Sequence, residues 1–174
     1  MTPETFEKLY PFVDSWIQST LAAHAGGKRA VASCGFPRLQ NYFRGETLAS
    51  SKVVLVDRLP VPPLSRMGLP QFAVFEHGNF NGITYLDTFF LKPAVAKDEA
   101  VHFHELIHVI QWRILGAKEF LRMYADGLER FGYWTSPLER MAYDAEAAFS
   151  ALSAFDAEQL VSDALAKISQ PLKN

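Results

Sequence analysis

The sequence predicts a single α+β domain built from an N-terminal helix, a small sheet with a hairpin, and helices from there to the C-terminus. Apolar residues recur at spacings of three and four near the start and again after Pro93, whereas β-branched and aromatic runs are confined to the stretch between about 52 and 91. The length of 174 residues matches one domain, so residues 1–174 are read as one unit. No repeat, low-complexity tract or linker divides it. A composition of 49% hydrophobic residues with 14 Phe, 6 Tyr and 3 Trp is enough for a sizeable core and argues against disorder.

Each element follows from local pattern. Phe6, Leu9, Phe12, Val13, Trp16, Ile17 and Leu21 make one apolar face of a helix over Pro3 to Ala25, which Gly26-Gly27 stops. Lys52 to Leu59 reads as a strand, and Pro60, Pro62, Pro63, Gly68 and Pro70 keep the next segment irregular. Phe72 to His77 and Ile83 to Leu91 read as two strands of a hairpin turned by Gly78 to Gly82, whose Asn81-Gly82 pair suits positive φ. Asp98 caps a helix to about Leu115, ended by Gly116, and a further helix covers about Lys118 to Arg130. Ser136-Pro137 opens another, and Asp156 opens a last one ending before Pro171.

Charge and composition exclude several functions. With 17 Lys plus Arg against 19 Asp plus Glu the net charge is -2, so no basic field draws nucleic acid. The longest aliphatic run, Val53 to Val56, falls far short of the roughly 20 residues of a membrane helix, and the first ten residues do not read as a secretion signal. The single Cys34 forms no internal disulfide and fits a reducing cytoplasm. Nothing local marks that thiol as a nucleophile, and Arg38, Arg44 and Arg58, diluted by Glu46 and Asp57, read as solvated surface.

The chemistry lies in His104-Glu105-Leu106-Ile107-His108. With 5 His and 11 Glu in the chain, chance arrangement yields this His-Glu-x-x-His pattern roughly 0.01 times per such sequence. Four helical residues bring the two imidazoles within roughly 40° of one another and about 6 Å along the axis, so both can converge on one ion. Zinc held by two His and a carboxylate keeps a position open for water, and Glu105 on the neighbouring flank is the general base for that water's attack on a carbonyl. The surrounding apolar residues predict a buried helix. His102 points about 200° from His104 and reads as packing or surface.

A third ligand must come from another element. Glu139, in the first turn of the Ser136-Pro137 helix, is the candidate; its alternative is a capping box with Ser136. Glu146 lies seven residues on, on the same face, and is the rival ligand; Tyr143 lies between them and could donate a hydrogen bond to a developing oxyanion. His77, at the expected hairpin end, is either cleft-lining or solvated.

His104-Glu105-Leu106-Ile107-His108-Val109-x-Gln111, with Ile83-Thr84-Tyr85-Leu86-Asp87 before it and Pro137-Leu138-Glu139-x-x-Ala142-Tyr143 after it, resembles the zincin metallopeptidases, and most of all small bacterial members of that group. The resemblance spans about Phe72 to Phe149. It implies a zincin-like fold with one zinc per chain, His104, His108 and Glu139 as ligands, Glu105 as base, and a peptide or protein as substrate. By the same resemblance, the strand Ile83 to Leu91 forms a sheet edge onto which an extended peptide can add. One departure stands out: many such enzymes carry an Asp four residues after the ligand Glu to orient a ligand His, and here that place is Tyr143. The expected activity is peptide hydrolysis. The alternative is a non-catalytic zinc-binding regulatory or protein-interaction module on the same fold.

Overall fold

A computed structural model describes residues 1–168. Helix α1 (Pro3–Ala23) is capped by Thr2, whose hydroxyl accepts from the Thr5 amide at 3.2 Å, and buries Phe6, Ile17 and Leu21. A four-stranded mixed sheet follows, formed by β1 (Arg29–Ala30), β2 (Lys52–Leu55), β3 (Gly82–Tyr85) and β4 (Thr88–Leu91) in the order β1-β2-β4-β3. Only the β2–β4 pair is parallel. Short helices α2 (Gly45–Ser50) and α3 (Ala73–Glu76) lie in the connections. The C-terminal layer is α4 (Glu99–Phe131), α5 (Pro137–Ser150) and α6 (Ala157–Ile168).

The α+β class and the single layer of helices after the sheet match the sequence expectation. Two strand assignments do not. Phe72 to His77 is not a strand: it forms a 3-10 turn and then α3, with His77 exposed at its C-cap. The expected strand Ile83 to Leu91 is itself the hairpin, folded at Leu86-Asp87 with Leu86 at φ 56°. Leu seldom takes that conformation, so the turn carries no local signature. The expected strand Lys52 to Leu59 ends at Leu55, and the proline-rich stretch beyond it is irregular as expected. Asp156 caps α6 by accepting from the Gln159 amide at 3.0 Å; the predicted helix end near Pro171 lies outside the described residues.

Helix α4 is the centre of the molecule. Asp98 caps it, accepting from the amides of Ala100 and Val101. Every residue from His102 to Trp112 is buried, because β3 and β4 cover one flank and α5 and α6 the other. At Gly116 the backbone turns to φ 72° and ψ 163°, which a side chain at that position would oppose, so the helix breaks where the sequence places its end and resumes in a new direction. Phe120, beyond the break, stacks on Trp112 at 4.0 Å and brings Tyr124 back towards α5.

Arg44 and Arg58 are exposed, as expected of surface, and Arg38 is partly buried with fixed partners. Its guanidinium lies 4.0 Å over the Phe149 ring, donates to the Phe149 carbonyl at 2.8 Å and pairs with Glu99. Among the described residues no helix is long and apolar enough to cross a membrane.

Candidate metal centre

His104 and His108 sit one turn apart on the buried half of α4, and their Nε2 atoms stand 3.2 Å apart. Glu139, in the first turn of α5, reaches both, at 3.5 Å to each imidazole. These three buried side chains offer ligand atoms within 4.8 Å of one another, a group that can hold a metal ion. Donors around a small tetrahedral ion at about 2.0–2.1 Å stand about 3.3–3.4 Å apart, close to the spacing found here.

Hydrogen bonds fix which atoms face the centre. The His104 Nδ1 lies 3.0 Å from a Glu146 carboxylate oxygen, which can only accept, so Nδ1 carries the proton. The His108 Nδ1 lies 2.8 Å from Gln111 Oε1, whose amide is oriented by donation from its Nε2 to the Leu138 carbonyl at 3.0 Å. In neutral imidazoles both Nε2 lone pairs therefore point inward. On the third ligand, Tyr124 donates to Glu139 Oε1 at 2.6 Å, while Oε2 is buried with no hydrogen-bond partner. An orphaned buried carboxylate oxygen is costly, and beside two inward lone pairs a cation satisfies it.

Without a cation, protons take its place. Burial alone would lower the His104 pKa, but the Glu139 carboxylate beside it and the hydrogen bond to Glu146 outweigh burial and push it up to about 10. Burial raises Glu139, yet the charges and hydrogen bonds of His108 and His104 win and hold it well below the usual carboxylate range.

Glu105 flanks the pair. Its carboxylate is 5% exposed and accepts from the Thr84 hydroxyl at 2.6 Å; burial raises its pKa, against the lowering by His104, His108 and Thr84. The close seat over β3 requires a glycine, since a Cβ on Gly82 would come within 2.2 Å of Glu105 Oε1. Tyr143 is half-buried with its ring 4.6 Å from that of His104, and exposed Trp134 lies against it.

The fold thus brings His104, His108, Glu105, Glu139 and Tyr143 to one place. Glu146 is outside the group that can hold an ion; it lies on the outer nitrogen of His104, where it orients the ring. The capping-box alternative fails because Glu139 turns to Tyr124 and the imidazoles, and Ser136 makes no side-chain cap. His102 is packed, its Nδ1 on the Asp98 carbonyl and its ring against Phe36 and Phe89. The Cys34 thiol rests 3.7 Å from the Ala30 carbonyl with its pKa raised by burial, the opposite of an activated nucleophile. Strand β3 is the sheet edge, but the Trp112 indole donates to the Thr84 carbonyl at 3.1 Å, so that acceptor is not open to an added strand. Sequence reasoning missed Tyr124, Thr84 and the roles of Gln111 and Gly82. Only Gln111, three residues after His108, had a local signal.

Comparison with family models, with curated proteins and with solved structures gave no match.

Proposed function

We propose that the chain is a zinc-dependent hydrolase of peptide bonds, with His104, His108 and Glu139 holding one zinc and Glu105 as general base. The observation that carries this reading is the buried His–His–Glu triangle, in which Glu139 turns Oε2, left without a hydrogen bond, to His104 Nε2 and Oε1 to His108 Nε2, each at 3.5 Å. Two nitrogens and a carboxylate oxygen suit zinc, which when bound acts as a Lewis acid on the substrate carbonyl. Glu105 takes the proton of the attacking water and returns it to the leaving amine, and its burial favours this by moving its pKa towards neutrality. Thr84 holds one carboxylate oxygen of Glu105 and leaves the other for the water. Tyr143, beside His104 at the rim, serves as the hydrogen-bond donor to the oxyanion.

Elemental analysis of protein purified without affinity metals tests the metal, with about one zinc per chain expected. Metal-free protein that takes up none on dialysis against zinc at neutral pH overturns the reading. Glu105→Gln should keep the zinc and lose cleavage of a broad peptide library. If wild type and variant both keep zinc and neither cleaves, the non-catalytic zinc module replaces the hydrolase.

A further inference from the structure

An apolar cavity of about 110 Å³ opens onto the centre, with Glu105, His108 and Glu139 in its wall. One water needs about 10–15 Å³ on the same measure, so the space exceeds a solvent site severalfold. Along α1, Phe6, Leu9, Val13 and Ile17 all line it, and these four positions are spread over about 16 Å of helix axis at 1.5 Å per residue. That is longer than any apolar amino-acid side chain reaches. Further lining comes from α4 beyond its break, through Leu121, Ala125 and Leu128.

The wall offers little to a peptide backbone. The Tyr85 hydroxyl donates to the Pro60 carbonyl at 2.7 Å, the Tyr124 hydroxyl is spent on Glu139, and the Thr84 carbonyl is taken by Trp112. Among the side-chain hydroxyls lining it outside the centre are those of Tyr10 and Tyr133, the latter hydrogen-bonded to Tyr143. Amide groups drawn into this space would lose water and gain few side-chain partners, whereas methylenes lose nothing.

We infer that the substrate is an amide bearing a long unbranched hydrocarbon chain, with the chain in the cavity and the scissile carbonyl at His104, His108 and Glu139. This rests on the hydrolase reading above. Hydrolysis breaks the C–N bond, places the hydroxyl of water on the acyl carbon and sends a proton to the leaving amine through Glu105.

Two probe series test the inference. The n-alkyl hydroxamates with four, eight and twelve carbons present a chelating head to zinc-loaded protein, and n-alkanols of the same lengths are titrated into metal-free protein, both by calorimetry. Affinity should climb by up to about fourfold per methylene in each series. Ala125→Leu and, independently, Leu9→Trp should shorten the length at which the climb stops, with circular dichroism showing both variants folded. A flat series from four carbons onward overturns the inference, as does a benzyl hydroxamate that binds as tightly as the twelve-carbon chain, because the cavity then takes a compact side chain. Alkanols that climb while hydroxamates gain nothing from their heads keep the chain-binding cavity and overturn the metal-hydrolase reading with its amide substrate.

Discussion

Gly82→Ala is the sharpest probe of how Glu105, the proposed base, is held. The added Cβ would lie 2.2 Å from Glu105 Oε1, 2.8 Å from its Cδ and 2.7 Å from Leu91 Cδ2. Real Cβ contacts essentially never come under 3.0 Å, so Oε1 must retreat by at least about 0.8 Å, the difference between those two distances. Retreat strains the 2.6 Å bond from Thr84, and Leu91 is fully buried. A shift of this size exceeds the roughly 0.5 Å tolerance of a catalytic group and should cost about 10²-fold in kcat/KM. Overpacking at Leu91 should cost about 1–3 kcal/mol, roughly 2–12 °C in Tm for a domain of this size. The proposed ligands lie on other side chains, so metal content should stay at wild-type level. Zinc analysis, calorimetry and cleavage of the same peptide library check the three expectations. Full cleavage with intact zinc would refute the reasoning, because the Glu105 carboxylate would then not need the seat that Gly82 provides.

Glu139→Ala should weaken zinc binding well beyond the loss for Glu146→Ala, which as an outer partner should cost about 10–100-fold in competition with a chelator; an unchanged constant for Glu139→Ala would remove it from the ligand set. Tyr124→Phe frees Glu139 Oε1 and should lower zinc affinity by a similar 10–100-fold while far-ultraviolet circular dichroism stays unchanged. The metal-free protein should also show a specific pH profile. His104 is raised to about 10, so its stabilising contribution is complete below its ordinary 6.5 and is lost as pH climbs through about 10. Glu139 is lowered, so its contribution is complete above its ordinary 4.5 and is lost in acid. The Tm of metal-free protein should therefore fall from pH 7 to pH 10 more than that of zinc-loaded protein, and zinc uptake at pH 7 should release about one proton from His104, read by calorimetry in buffers of different ionisation heat.

The sequence by itself determined what rests on short-range geometry. The spacing of His104 and His108 brings their imidazoles together on any helix, and Pro137 after Ser136 puts Glu139 in the first turn of another, wherever those helices pack. The stop of the first half of α4 was legible because Gly116 acts through its own backbone, whereas α1 ends at Ala23, shortly before the Gly26-Gly27 pair that marks its stop in the sequence. The tertiary structure decided the rest. Phe72 to His77 is short and apolar, a pattern helix and strand share, and packing made it helical. Asn81-Gly82 reads as a turn, yet the chain turns at Leu86-Asp87 and uses Gly82 to seat Glu105, a demand set by a residue 23 positions away. The partners that make the His–His–Glu group a metal site belong to the same class. Tyr124 reaches Glu139 across the break in α4 and Glu146 reaches His104 from α5, at separations of 15 and 42 residues. No local periodicity encodes such contacts, because they exist only once the helices have packed and buried the charges that need them.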